Sequence, residues 1–106
     1  MKKGDLLSVQ FPFTNMLGLK RRSALVVAVE APDVTVAFIT SNLGGPQPYD
    51  VVLQPSALNR LRQTSLVRVV KMATLDPSMI YGRIGELTAA ELRQVDAGLR
   101  QGLQLP

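Results

Sequence analysis

The sequence predicts a small α+β domain in which β-strands dominate, and three observations carry this prediction. Several short segments alternate apolar and polar residues with a period of two, as half-buried strands do. Gly, Pro and Asn separate these segments at short intervals, which is typical of turns between antiparallel strands. One segment near the end spaces its Leu and Val residues by three and four, the period of an amphipathic helix. With 106 residues, the chain is expected to form a single domain, residues 1–106.

Five segments are predicted as strands, taken in chain order. The first alternates Leu7, Val9 and Phe11 against polar residues. A Val-rich run and an alternating run flank Pro32, so they form a hairpin. A short strand follows, then a proline that suits the first turn of a short helix, and then the longest strand. The predicted strands are Gly4–Phe11, Ser23–Ala31, Val34–Ser41, Asp50–Gln54 and Ser65–Leu75, with the short helix at Pro55–Leu61.

The C-terminal segment predicts the main helix, from about Thr88 to Leu103. Thr88 and Glu91 have the spacing of a capping box, in which each side chain bonds the other residue's backbone N–H. Gly98 and Gly102 are expected to weaken the second half of the helix, by roughly 1 kcal/mol each relative to Ala. One apolar stripe is predicted to pack on the sheet: Leu92, Val95, Leu99 and Leu103. Five short antiparallel strands and one terminal helix indicate a small barrel of the SH3-like kind.

Composition narrows the function. A hydrophobic fraction of 46% with 19% charged residues indicates a folded chain, and a net charge of +4 favours polyanionic partners such as nucleic acid. The absence of cysteine excludes disulfides and thiolate zinc sites, and we expect a cytoplasmic protein. No run approaches the ~20 apolar residues of a membrane span, so no membrane is expected as a partner. The absence of histidine means that any acid–base chemistry proceeds without imidazole.

The first candidate site lies where three consecutive cations, Lys20, Arg21 and Arg22, meet the most apolar run of the chain. In a hairpin the start of one strand neighbours the end of the other, so Arg22 and Thr40 are expected to lie close together. A guanidinium beside the hydroxyls of Thr40 and Ser41 offers a phosphate a planar fork and two rotatable donors. The alternative is that the cations only keep a strand edge soluble.

The remaining polar residues give weaker signals. Arg68 alone interrupts an apolar strand, and we take it as a further substrate-binding candidate, although a strand arginine can also extend its charged end to solvent for structural reasons. The acidic residues are scattered, and no two match the spacing of a metal or glycosidase site. Gly44 and Gly45 are not followed by the Lys-Ser/Thr pair of a phosphate-binding loop. We expect no metal and no cofactor.

Five stretches carry a resemblance to a known family: KGDLLSVQFPFT, GLKRRSALVV, FITS, SLVRVVKMATLD and GRIGELT. In this order and spacing they resemble the PemK/MazF family of toxin ribonucleases. The resemblance implies a homodimer with an SH3-like barrel fold that cleaves single-stranded RNA without metal. It further implies an acidic cognate antitoxin that holds the toxin inactive, and inhibition of translation and growth by the free toxin.

By position, the resemblance makes Arg22 and Thr40 the catalytic residues, and Arg68 matches an arginine that some members use. Lys20, Arg21 and Ser41 would add contacts to the substrate. Three departures concern the reaction: Ser23 stands where the family usually has proline, Val70 where some members have aspartate, and no acid occurs between Asp5 and Glu30. The general base is therefore unassigned.

Two other functions remain open at this point. One is a non-enzymatic toxin of the same barrel, resembling CcdB, which poisons DNA gyrase by binding it. The other is a catalytically impaired RNA-binding module of the same fold, which the missing acids favour. For the nuclease, the mechanism implied is attack by the RNA 2′-hydroxyl on the adjacent phosphorus.

Overall fold

The structure, a computed structural model, describes residues 1–10 and 21–106. These residues form one antiparallel sheet of six strands in the order β4-β5-β3-β2-β1-β6, followed by one helix. The predicted β-dominant α+β fold with a C-terminal helix is confirmed. The sheet stays open, because the edge strands β4 and β6 do not pair with each other in the described part of the chain. The strands are β1 Asp5–Gln10, β2 Arg21–Glu30, β3 Asp33–Thr40, β4 Val51–Leu53, β5 Ser65–Leu75 and β6 Ile80–Glu86, and the helix α1 is Ala89–Gly102.

Apolar side chains are buried on both faces of the sheet, and strand alternation explains the division. Successive side chains of a strand point to opposite faces, so Leu6 belongs to one buried cluster and Leu7 to the other. The first cluster joins the sheet to Val95 of α1, which is fully buried. The second joins Ala24 and Val26 of β2 to residues of β1, β3 and β5 on the opposite face. Burial on both faces explains why β2 reads as a continuous apolar run.

The expectation of five strands is wrong, because Ile80–Glu86 forms a sixth strand that pairs with β1. The segment contains Gly82 and Gly85, which interrupt the period-two pattern and made it resemble a turn. Gly85 has a tertiary role: a Cβ there would lie 2.5 Å from the carbonyl oxygen of Leu58. The pairing of β6 with β1 also contains register shifts, which the sequence pattern does not reveal.

The predicted short helix at Pro55–Leu61 is also wrong, since these residues form a turn built around Asn59. The Asn59 side chain is fully buried. Its Oδ1 accepts hydrogen bonds from the backbone N–H groups of Ser56 and Leu61, and its Nδ2 donates to the carbonyl oxygen of Gln54. An asparagine side chain that bonds the backbone in this way competes with helix formation.

The predicted terminal helix is confirmed, with Thr88 as its N-cap and Leu103 as its C-cap. Both hydrogen bonds of the capping box are present. Within the stripe, Val95 is buried and Leu92 and Leu99 pack against the first cluster, whereas Leu103 is exposed. The helix lies against β4 and β5.

Candidate active site

A cleft of about 460 Å³ opens where β2 begins and β3 ends, at the end of the hairpin opposite its Pro32 turn. The residues between β4 and β5 form its other wall. None of the described residues that line it is acidic, and four are arginines. The lining residues are Ser8, Arg21, Arg22, Ser23, Ile39, Thr40, Ser41, Arg60, Leu61, Arg62, Gln63, Ser65 and Ile84.

Arg22 and Thr40 both line this cleft, as the sequence predicted. Ala24 pairs with Phe38 in the β2–β3 ladder, and the same register continued by two residues brings Arg22 opposite Thr40. The Nε atom of Arg22 is buried and has no hydrogen-bond partner in the structure of the described chain. Buried polar groups nearly always have a partner, so an unpaired guanidinium donor in a cleft is suited to a bound anion.

Strand alternation predicts that only one of two adjacent arginines faces a groove, but Arg21 lines the cleft as well as Arg22. Alternation along β2 separates their Cβ atoms, but the cleft lies at the very start of the strand, where two long side chains can reach it from both faces. The Arg21 guanidinium carbon lies 4.3 Å from the centre of the Tyr81 ring. Arg21 is therefore stacked on an aromatic ring, whereas the Arg22 Nε is unpaired.

The hydroxyl of Thr40 is oriented by its own loop. Its Oγ1 accepts a hydrogen bond of 3.1 Å from the backbone N–H of Asn42. Because a hydroxyl is both acceptor and donor, this contact leaves the O–H free to donate to a ligand. Ser41, the next residue, lines the same cleft.

Arg68, another predicted binding residue, is not brought to the cleft. Arg68 is absent from its lining, and its Nε is 3.1 Å from Oδ2 of Asp50, a carboxylate that is almost fully buried. Asp50 also accepts a hydrogen bond from the backbone of Gln47. Arg68 thus compensates a buried charge, and we leave it out of the proposed site. Lys20 lies outside the described residues.

Two further cleft arginines, Arg60 and Arg62, were missed in the sequence. The segment Leu58–Gln63 reads LNRLRQ, in which the arginines are two residues apart. Residues so spaced share a side in extended chain, and this is the signal that would have marked them. The interpretation of the segment as a short helix concealed it.

A cluster of charges near the N-terminus borders a second depression. Asp5 is almost fully buried, and its Oδ1 lies 2.8 Å from Lys2 Nζ and 3.2 Å from Arg83 Nε. Burial alone raises the pKa of Asp5, but the hydrogen bonds from Lys2 and Arg83 outweigh it and hold the pKa below its usual value. Glu86 bonds Lys2 and Arg83 as well, and Lys2 chiefly lowers its pKa. This cluster joins β1 to β6 and has a structural role.

Two other kinds of site are absent from the described residues. No three Asp, Glu, His or Cys side chains in residues 1–10 and 21–106 are grouped so that they could hold a metal ion. In the same part of the chain, no helix has the length and apolar character needed to cross a membrane.

Fold and cleft together define a small β-sheet protein with a cleft lined by arginine and hydroxyl side chains. Comparison with known proteins identifies the family. The family described as PemK-like, MazF-like toxin of type II toxin-antitoxin system matches residues 2–103. The chain therefore belongs to this family, which confirms the resemblance seen in the sequence.

Two individual relatives support the assignment to this family. Endoribonuclease MazF2 of Mycobacterium bovis and endoribonuclease MazF6 of Mycobacterium tuberculosis are each 37% identical over 93 residues, 81% of this chain and 81% of their own length.

Among solved structures, toxin MazF-mt6 of Mycobacterium tuberculosis has a TM-score of 0.78 at 23% identity and covers 96% of this chain and 98% of its own. A mycobacterial endoribonuclease solved with its cognate antitoxin has a TM-score of 0.76 at 21% identity and covers 98% and 95%. At these identities the two structures support the fold.

Proposed function

We propose that this protein is the toxin of a type II toxin-antitoxin system and an endoribonuclease that cleaves single-stranded RNA without a metal ion. The observation that supports this site most strongly is the buried, unpartnered Nε of Arg22, opposite Thr40 in a cleft lined by four arginines and no described acid. An electropositive cleft attracts a polyanion. The activity agrees with the relatives, which are endoribonucleases by name.

In the proposed reaction the RNA supplies its own nucleophile. The 2′-hydroxyl oxygen attacks the adjacent phosphorus and loses its proton, while the bond from phosphorus to the 5′-oxygen breaks and that oxygen takes up a proton. The products are a 2′,3′-cyclic phosphate and a 5′-hydroxyl. Negative charge grows on the phosphate oxygens in the transition state. Donors placed to meet this charge each contribute roughly 2.7 to 4 kcal/mol.

Arg22 is the residue that meets this charge. Its guanidinium donates from Nε and the terminal nitrogens to the non-bridging oxygens and supplies the balancing positive charge. The Thr40 hydroxyl, oriented by Asn42, donates to the same phosphate and fixes it for in-line attack.

Proton removal proceeds without a protein carboxylate or imidazole. The chain has no histidine, residues 11–20 contain no acid, and none of the described cleft residues is acidic. The 2′-hydroxyl proton then passes to water, which is a weak base, and turnover is slow. Slow cleavage is sufficient for a toxin that acts on cellular RNA over many minutes.

The proposal extends to partners and location. An RNA substrate and an antitoxin partner support a location in the cytoplasm, and the toxin is a homodimer. The antitoxin is acidic and lies across the basic cleft, where it covers the RNA site. A mycobacterial endoribonuclease of the same fold has been solved with its cognate antitoxin.

A gyrase poison resembling CcdB is not favoured, because the named relatives are endoribonucleases and the arginine cleft has no function in such a toxin. An RNA-binding module without catalysis differs from the proposal only in turnover. The test is incubation of the purified protein with a long single-stranded RNA in EDTA, followed by mapping of the new ends. Cleavage with 5′-hydroxyl ends supports the proposal, and intact RNA contradicts it.

A further inference from the structure

We propose that Arg60 and Arg62 form a second phosphate-binding wall of the cleft, which holds the RNA strand on the side opposite Arg22. This inference rests on the proposed function for the identity of the ligand. It assigns substrate binding to a segment in which the sequence pattern indicated only a short helix.

Arg60 and Arg62 line the same cleft as Arg22 but come from a different part of the fold. Arg60 and Arg62 come from the segment between β4 and β5, whereas Arg22 and Thr40 come from the β2–β3 hairpin, and all four line one cleft. Within residues 1–10 and 21–106, neither Arg60 nor Arg62 has a hydrogen bond or ion pair to its guanidinium. By contrast, Arg68 and Arg83 are each paired with a carboxylate. The cleft arginines are therefore available to bind an anion.

The backbone of Arg60 has an unusual conformation. Its φ is +57°, in the left-handed region that residues other than glycine seldom adopt. The backbone N–H of Arg60 donates to the Ser56 carbonyl oxygen at 2.9 Å, and the buried side chain of Asn59 fixes the residues on both sides. Such a conformation persists where its surroundings over-determine it, and it is frequent at binding sites.

The turn around Asn59, which carries Arg60, is attached to the sheet. The backbone N–H of Glu86 in β6 donates to the carbonyl oxygen of Leu58 at 3.1 Å, and Gly85 allows the two backbones to approach. The turn is thus fixed to the edge of the sheet. A fixed turn presents its arginines with less loss of conformational entropy than a free loop does.

Arg60 also lies between the cleft and a second depression. A second depression of about 320 Å³ shares Arg60 and Ile84 with the cleft, and the rest of its lining comes from the same turn and from β6. A nucleic-acid strand longer than the cleft would pass Arg60 on its way into this depression. Arg60 and Arg62 therefore bind phosphates that flank the scissile one, and they contribute to affinity more than to the chemical step.

The test compares two double variants that remove the same charge. Arg60→Gln with Arg62→Gln lowers the net charge of the cleft, and Arg93→Gln with Arg100→Gln lowers it equally on the exposed side of α1. Both are titrated with a fully 2′-O-methylated single-stranded RNA, which lacks the attacking hydroxyl, over a series of salt concentrations. The cleft variant should bind about fivefold more weakly per arginine, with a salt slope reduced by roughly 1.4, since each phosphate contact contributes about 0.7 for single strands. The control should bind like the unchanged protein.

A third variant separates binding from folding. Arg60→Gly relieves the left-handed backbone, so its melting temperature should be unchanged or higher, while its RNA affinity falls about fivefold. At saturating unmodified RNA, the loss of affinity is overcome, so the variants of Arg60 and Arg62 should cleave in a single turnover within about threefold of the original rate. A wild-type protein that binds RNA without cleaving it contradicts the proposed function and leaves this inference standing.

Two results would overturn the inference. One is equal RNA affinity and salt slope for the cleft variant and the unchanged protein. The other is a cleft variant that binds RNA normally and loses affinity only for an oligoglutamate peptide, because the two arginines would then serve an acidic protein partner.

Discussion

Arg22 is the residue in which burial and charge are in conflict. A buried donor without a partner destabilises the fold by about 1 to 3 kcal/mol, and a bound phosphate oxygen removes that penalty. Arg21, one residue earlier, is exposed and stacked on Tyr81, an interaction that contributes about 0.5 to 1 kcal/mol at such sites. Two adjacent arginines in one cleft therefore have different surroundings.

Replacement of Arg22 by Ala is expected to lower RNA cleavage about 10²-fold or more, because a transition-state donor is lost. Arg21→Ala should cost much less, mainly one phosphate contact that depends on salt. The measurement is single-turnover cleavage of one RNA at fixed salt, with melting temperatures recorded for both variants. A larger loss for Arg21→Ala would reassign the catalytic arginine, and unchanged rates in both would remove Arg22 and Thr40 from the mechanism.

Asp5 gives the protein an acid-sensitive contact. Its folded-state pKa is below the ordinary value of 3.8, so the ionised form stabilises the fold above that pH, and this stability is lost as pH falls through the lower folded pKa. Asp5→Asn should lower stability near neutral pH, by about 1 to 3 kcal/mol, and flatten the decline in acid. Urea midpoints from pH 6 downward test this, with Asp33→Asn at the hairpin turn as control. An unchanged acid slope in Asp5→Asn would show that Asp5 is not the source.

At the scale of elements, the helix α1 approaches the sheet through its glycines. A Cβ at Gly98 would collide with the carbonyl oxygen of Tyr49, and one at Gly102 would lie 2.6 Å from Val70 Cγ1. Helix propensity therefore predicts that Ala at these positions stabilises the helix, whereas packing predicts that it destabilises the fold. We expect the close contacts to outweigh the propensity.

Gly98→Ala is expected to destabilise the fold by roughly 1 to 3 kcal/mol, the usual cost of overpacking. Propensity alone would predict a gain of about 1 kcal/mol. Thermal or urea unfolding decides between them, with exposed Gln94→Ala in the same helix as the matched control. A more stable Gly98→Ala variant would mean that α1 lies farther from Tyr49 than the structure places it.

At the scale of the whole molecule, the family implies a homodimer. Exposed apolar side chains such as Val52, Val70 and Leu105 show that the monomer does not bury all of its large apolar residues. Sedimentation at tens of micromolar should therefore give the mass of two chains. A monomer mass at that concentration would contradict the prediction.

The antitoxin prediction also belongs to this scale, because it depends on the net charge of +4 and on the arginine cleft. An acidic antitoxin should bind more weakly as salt rises, and its binding should stop RNA cleavage. Binding measured over a salt series, alongside cleavage of one RNA, tests both statements. Binding that is insensitive to salt, or that leaves cleavage intact, would refute the account.

Much of the fold and part of the site could be predicted from the sequence. The alternation in β1 and β3, the Val-rich run of β2 and the Thr88 capping box are local patterns, and the structure confirms each. The proximity of Arg22 to Thr40 follows from hairpin geometry. It requires only a turn at Pro32 and two strands of similar length.

Tertiary structure decided the rest, because the remaining features arise between residues distant in sequence. Gly85 lies in a strand because β6 pairs with β1, and Asn59 turned a predicted helix into a fixed turn. Arg68, which the sequence pattern marked as a binding candidate, is paired with the buried Asp50. Arg60, by contrast, lines the cleft. The sequence by itself determined the periodic elements, since those depend on neighbours two to four residues away. Which cations face a carboxylate and which face an open cleft depends on long-range packing, and only the folded chain decided it.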